Sequence, residues 1–221
     1  MMEPRQWWTR PRRVTVLVDN PSWVLPFAER FVAMCLEGGD EARLARSYDE
    51  MLDEGAAFLI GCTRITPRDV LARNHRNLVV HASDLPRGRG HSPLAWQIEE
   101  GRSTIPICLF DAAPELDTGP VIYRDTIELS GHELIHELHT ALGHKTIELC
   151  RRFLAETTPP AGEPQHGEPT YYPRRSNDNN RLDPDRTIVE QFDKLRVCDN
   201  DRFPAHFELR GHRYRVRVEK E

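Results

Sequence analysis

No C-x-x-C pair occurs anywhere in the 221-residue sequence. The five cysteines stand far apart, at Cys35, Cys62, Cys108, Cys150 and Cys198. Such spacing signals neither a zinc site nor a disulfide framework, and it reads as buried free thiols in the cytoplasm. No apolar run approaches the roughly 18 residues that a membrane span needs, so no membrane partner is expected. The first thirteen residues hold four arginines and two tryptophans without an apolar core, unlike a signal peptide. Positive charge is not in excess either: the formal net charge is −5. A nucleic-acid partner, which needs basic surface, is therefore not expected. The glycine fingerprint of a dinucleotide site is missing after the first strand, and no phosphate-binding G-x-x-x-x-G-K-[ST] loop exists.

What is present is a core-forming chain, 38% hydrophobic. Apolar runs of the buried-strand kind appear at Val14–Val18, Ala57–Ile60, Leu78–Val80 and Ile105–Phe110, with a weaker one at 43–45. Between them lie helical patterns, first from about Trp23 to Leu36, with Val24, Phe27, Phe31 and Met34 on one face. Ser22 is placed to cap that helix, Pro26 falls in its first turns, and Gly38-Gly39 stop it. Short helices are expected at 48–52 and from Thr66-Pro67 through Leu71. Strands alternating with helices predict a Rossmann-like, doubly wound, mainly parallel α/β sheet. Ligands bind such sheets beyond the carboxyl ends of their strands.

A further strand is expected at 126–129 and a long helix from Glu133 to Leu154. His136, His139 and His144 on that helix match no metal-ligand spacing, so they read as surface residues and no metal is expected. The Pro/Gly-rich stretch 157–169 reads as a linker. Beyond it lie a polar loop, a short helix at 188–195 and an alternating segment turning at Arg210-Gly211-His212, a hairpin signature. The expected organisation is a tail (1–12), a main domain (13–156), the linker (157–169) and a small α+β C-terminal lobe (170–221).

Chemistry concentrates between Asn77 and Ile122. His81 ends a strand, a Ser/Asp/Pro/Gly loop follows, and Asp117 sits in a D-T-G-P turn. A histidine at a strand end and a distant aspartate in a turn are the parts of an acid/base site.

The loop His81-Ala82-Ser83-Asp84-Leu85-Pro86-Arg87-Gly88-Arg89-Gly90 resembles the H-x-S-x-L-P-x-x-R-G loop of the folate-dependent formyltransferase family. Leu116-Asp117-Thr118-Gly119-Pro120 resembles that family's L-D-T-G-P element, and His81 and Asp117 stand 36 residues apart, as in the family. The resemblance covers about residues 14–155. It implies a formyl group taken from 10-formyltetrahydrofolate as co-substrate and given to an amine, with His81 and Asp117 catalytic. It places the folate along the Gly61, Cys62, Thr63, Arg64, Ile65 turn and against Ser83, Leu85, Pro86, Arg89 and Gly90. Arg87 and Arg89 are candidates for a folate carboxylate or an acceptor phosphate.

The tail, with Tyr171, Tyr172 and Arg175 as candidate acceptor contacts, is similar to those of nucleotide-sugar N-formyltransferases. The wording Asp19-Asn20-Pro21-Ser22-Trp23 and the 83–98 loop are most similar to the branch acting on UDP-4-amino sugars of the pseudaminic-acid side. The expected acceptor is thus a nucleotide-linked amino sugar, such as a UDP-4-amino-4,6-dideoxy sugar. The alternatives are a glycinamide-ribonucleotide-type or other small amine, or a folate- or nucleotide-binding module with impaired catalysis. A homodimer is compatible with this reading.

One position departs from the family. Its third catalytic residue is an asparagine two before the histidine, where this chain has Val79. Asn77 lies about 13 Å from His81 along a strand and cannot reach the same carbonyl. Asn20 is the expected replacement donor, with Ser83 second.

Overall fold

The structure is a computed structural model that describes residues 6–221. In chain order the strands are β1 (Arg13–Leu17), β2 (Glu41–Ala45), β3 (Ala56–Leu59), β4 (Arg76–His81), β5 (Arg89–Gly90), β6 (Thr104–Asp111), β7 (Val121–Glu128), β8 (Tyr171–Tyr172), β9 (Ala205–Leu209) and β10 (His212–Val216). The helices are α1 (Leu25–Glu37), α2 (Arg68–Leu71), α3 (Pro93–Glu99), α4 (Ile135–Ala155) and α5 (Phe192–Arg196).

Six strands form the main sheet, in the order β2-β1-β3-β4-β6-β7. The first four pair in parallel, while β4–β6 and β6–β7 are antiparallel. The expected mainly parallel α/β class is the one observed, with an antiparallel extension on one side. That extension follows from connection length: only the turn 112–120 joins β6 to β7, too short for a parallel crossover.

Alternation along the strands divides the core. Val14, Val16, Phe58, Leu78, Ile107 and Leu109 bury against α1, α3 and α4. Leu17, Ala57 and Leu59 bury on the opposite face with Val70 of α2. Val79 is half-buried and packs against both that second cluster and a third one made by Leu85, Cys108, Phe110 and Val121. With a period of two, Asn77, Val79 and His81 share one face of β4.

Several expectations need correction. Residues 6–12 are not a loose tail; residues 1–5 lie outside the described residues. Trp8 is buried edge-on against Phe153 and donates its Nε1–H to the carbonyl of Glu156. Arg12 is buried, pairs with both oxygens of Asp40 and donates to the carbonyl of Leu154. Helix α1 begins at Leu25 with Val24 as its cap residue, and Ser22 stands two residues earlier, its hydroxyl accepting from the Val24 N–H at 3.4 Å.

Residues 157–169 do not hang free as a linker. They run back across the loops that follow β4 and β6 as a strap. Glu163 exchanges two backbone hydrogen bonds of 2.8 Å with Val121, and β8 then pairs in parallel with β5. Beyond it, Leu182, Leu195, Cys198 and Ala205 form a small separate core with Phe207, Val216 and Val218. The hairpin of β9 and β10 turns at Arg210 and Gly211, both with positive φ.

His139 is not a plain surface residue. Its ring stacks on Trp23 at 4.3 Å and 5°. Burial pushes its pKa down to about 4 from an ordinary 6.5, so the folded state holds it neutral while the unfolded chain protonates near 6.5. Its contribution to stability is complete above about 6.5 and lost as pH falls towards 4. The urea midpoint is expected to drop between pH 7 and pH 5, and His139→Gln should shrink that drop. An unchanged pH dependence in the variant would remove His139 from this account.

Candidate active site

His81 is the last residue of β4, held by strand pairing on one side to Cys108 of β6. Its Nε2 lies 2.8 Å from the carbonyl oxygen of Gly88. A carbonyl only accepts, so Nε2 carries the hydrogen. The loop after His81 can fold back this tightly because Gly90 adopts φ +105°, and a Cβ there would stand 2.3 Å from the Tyr172 carbonyl oxygen.

Asp117 comes from the turn between β6 and β7. Its φ is +52°, in the left-handed region that aspartate tolerates better than most residues. The turn packs so closely on β6 that a Cβ at Gly119 would lie 1.6 Å from the Asp111 carbonyl oxygen. Asp117 Oδ2 accepts from the Gly90 N–H at 2.8 Å and stands 3.7 Å from His81 Nε2. The structure thus brings the two expected residues together, with side chains 10% and 11% exposed. The adjoining Cys108 thiol is pushed up to about 12 by burial, so it stays protonated and offers no nucleophile.

Two residues that the sequence reading passed over join this geometry. Gln165 of the strap donates to the Asp117 carbonyl at 2.9 Å and to the Gly119 carbonyl at 2.8 Å. It accepts from Arg89 at 2.6 Å. The Thr170 hydroxyl accepts from the Gly88 N–H at 2.8 Å, steadying the residue whose carbonyl meets His81. These contacts span 46–82 residues of chain and leave no local pattern to read.

Other expected site residues fall differently. Asn20 is not a free donor: its Nδ2 donates to Asp19 Oδ1 at 2.7 Å and to the Gly61 carbonyl at 2.8 Å, which uses both hydrogens. Ser83 is 1% exposed and its hydroxyl has no partner among the described residues. Leu85 is 1% exposed and packs with Cys108, Phe110 and Val121, and Pro86 is also buried, so neither side chain is open to a ligand. The turn Gly61–Ile65 is mostly exposed; its Thr63 N–H binds Asp19, and Cys62 Sγ donates to the Leu17 carbonyl.

Arg89 makes no ion pair among the described residues. It meets the neutral Gln165 and the Tyr171 hydroxyl, and its Nε is buried without a partner. Arg174 lies near enough to His91, beside Gly90, to help burial hold that imidazole below its ordinary value. Tyr171 is 59% exposed. Tyr172 and Arg175 are engaged in packing instead. The Tyr172 ring stacks against Trp96, the Arg175 guanidinium sits 4.9 Å over the same indole, and Arg175 pairs with Glu99. These two fasten the C-terminal lobe to α3.

A cavity of about 550 Å³ opens between the end of α2, the start of β4 and the turn carrying Asp117. Leu71, Ala72, Ala112 and Pro114 give it apolar walls. Two amide atoms in its walls, Asn74 Nδ2 and Asn77 Oδ1, are buried without partners. None of the residues from Gly61 to Ile65 or Ser83 to Gly90 lines it. Among the described residues, no group of three His, Cys, Asp or Glu is placed to hold a metal, and no helix is long and apolar enough to cross a membrane.

Comparison with known proteins bears on the family and the fold. Methionyl-tRNA formyltransferases from Rickettsia bellii and Gluconobacter oxydans are 31% and 32% identical over 122 and 171 residues, covering 55% and 75% of this chain. The chain spans 40% and 56% of their lengths. Among solved structures, a methionyl-tRNA formyltransferase from Clostridium thermocellum superposes with TM-score 0.79 at 20% identity, covering 95% of this chain and 94% of that one. A sugar N-formyltransferase from a Shewanella species does so with TM-score 0.70 at 15% identity, covering 94% and 97%. HypX from Aquifex aeolicus in complex with tetrahydrofolic acid gives 0.70 at 18% identity, covering 91% of this chain and 36% of that one. These likenesses share the fold. The family model described as formyl transferase matches residues 40–152, just over half the sequence and the segment that carries both His81 and Asp117, and on that match the chain is a member of the formyl transferase family.

Proposed function

We propose that the chain transfers a formyl group from 10-formyltetrahydrofolate to the amine of a nucleotide-linked amino sugar, with a UDP-4-amino-4,6-dideoxy sugar as the preferred class. The observation that carries the reaction type is the buried His81–Asp117 pair at the carboxyl end of β4. When bound, the folate co-substrate supplies a formyl carbon for the amine to attack. Attack places negative charge on the formyl oxygen and positive charge on the nitrogen. The His81 imidazole donates towards the oxyanion. Asp117, fixed through Gly90, would accept the surplus amine proton directly or through water, and the same route would return a proton to the folate N10 as its bond to the formyl carbon breaks and tetrahydrofolate leaves.

The cavity at the foot of the 112–120 turn is assigned to the folate's ring system, although neither His81 nor Asp117 lines it: Leu71, Ala72, Ala112 and Pro114 give it apolar wall, and Asn74 Nδ2 and Asn77 Oδ1 offer an amide donor and acceptor that are unpaired among the described residues. In this proposal Leu71, Asn77 and Ala112 hold the ring. The exposed turn Gly61–Ile65 is assigned to the rest of the folate, with Arg64 a candidate for its carboxylate. Arg89, lacking a carboxylate partner and lying between the Gly88 and Gly90 contacts, is assigned to the acceptor's phosphate, with the exposed Tyr171 beside it.

The acidic balance of the chain favours a small acceptor over RNA. One feature supports a methionyl-tRNA-type acceptor instead: the hairpin of β9 and β10 places Arg213 and Arg215 exposed at alternate positions, next to Arg210 at the turn. A single panel separates the readings. The purified protein is incubated with 10-formyltetrahydrofolate and, separately, UDP- and dTDP-amino sugars, glycinamide ribonucleotide and methionyl-tRNA, and products are followed by mass. One formyl group gained on a sugar nucleotide is the expected result. Formylation of the tRNA alone would overturn the sugar assignment, and formylation of nothing would overturn the activity.

A further inference from the structure

We infer that Gln165 is a positioning residue for the catalytic pair: its amide holds the Asp117 turn against Arg89, setting where the Asp117 carboxylate stands relative to His81. The inference rests on the formyl-transfer reading for its kinetic arm and on geometry alone for the rest. The amide's orientation is fixed by its partners. Two carbonyl oxygens, of Asp117 and Gly119, require the NH2 end, and the guanidinium of Arg89 requires the oxygen end. All three donor and acceptor functions it uses therefore face the site.

The Asp117 backbone has reason to need this hold. It occupies left-handed φ without being glycine, a conformation that persists only when surrounding contacts determine it. Gln165 supplies two such contacts, one on Asp117 itself and one on Gly119, two residues on. Its own backbone is placed by the strap, which Glu163 fastens to β7 and Thr170 fastens to the Gly88 peptide. Gly88 in turn meets His81. One short segment outside the sheet thus grips the backbone beside both catalytic side chains. A side chain that merely filled space there would show no such matching of donors to carbonyls.

The test uses the full-length protein and three variants. Gln165→Leu keeps similar bulk and removes every hydrogen bond. Gln165→Glu keeps the acceptor for Arg89 and loses both donor hydrogens. Asp117→Asn serves as the reference. With the amine acceptor found in the panel, both Gln165 variants are expected to lower kcat about 10–10²-fold, with KM unchanged. In the Asp117→Asn background, Gln165→Leu should cost nothing further, because a residue acting through Asp117 has nothing left to act on. Without any substrate, the His81 ring resonances, assigned by their loss in His81→Gln, should move in Gln165→Leu in the same direction as in Asp117→Asn. Unmoved resonances in folded Gln165→Leu, or a kinetic loss that multiplies fully with Asp117→Asn, would overturn the inference. If no acceptor is formylated, the resonances alone decide: moved, they support the positioning and leave only the reaction in error.

Discussion

Asp117→Asn and His81→Gln are each expected to cut turnover about 10²–10⁴-fold, the scale of a lost acid/base or oxyanion group. These substitutions are preferable to alanine because of what the side chains hold up. Asn at 117 keeps an oxygen to accept from Gly90 N–H while removing the charge. Gln at 81 keeps a donor for the Gly88 carbonyl while removing the imidazole. Alanine at either place would leave a backbone group in a closed loop unpaired, costing about 1–3 kcal/mol, and confuse folding with chemistry. Melting temperatures within a few degrees of wild type are expected for both conservative variants. A folded variant that turns over at the wild-type rate would sink the assignment of that residue.

The same contacts explain why a truncation is a poor probe of the acceptor side. A chain ending near Glu163 would lose not only the lobe but also Gln165, Thr170 and Tyr172, which grip the loops that carry Asp117 and follow His81. Its expected failure would report on the strap rather than on acceptor binding. Point changes at Arg89 or Tyr171 ask the question more directly.

The nearness of His81 and Asp117 was legible in the sequence because one ends a strand before a distinctive loop and the other sits in a D-T-G-P turn, and most of the parallel strands were legible because each is a short apolar run between helical patterns. The strap was not. Its prolines and glycines look like a spacer, and its useful groups are single side chains meeting distant backbone. Trp8 and Arg12 failed to announce themselves for a related reason: Arg12 gains its place only through Asp40 and the end of α4. Asn20 misled in the opposite way. An asparagine at a strand end looks available, but its amide is satisfied within the neighbouring turn, the ordinary fate of such residues.

That finding reverses the expectation at Val79. With Asn20 committed to Asp19 and Gly61, and the Ser83 hydroxyl sealed at 1% exposure, neither residue offers a donor where the family pattern has its asparagine. Val79 shares the His81 face of β4 and is half-buried, so a side chain there lies beside the reacting position. Val79→Asn is therefore expected to raise turnover. A well-placed oxyanion donor is worth about 10²–10³, and an amide introduced without its supporting contacts should recover at least about tenfold of that. The gain comes with a stability loss of about 1–3 kcal/mol, because Val79 packs against Leu59 and Leu85 clusters that an unpaired amide cannot join. Val79→Thr, close in shape and unable to reach as far, should show a stability loss without the rate gain. Asn20→Ala should leave turnover unchanged and lower stability, since it removes only the tie between Asp19 and Gly61. Stopped-turnover and urea-midpoint measurements on the three variants decide the matter. A slower or unchanged Val79→Asn, together with a large rate loss in Asn20→Ala, would mean that Asn20 leaves its resting contacts when substrate binds and is the donor after all.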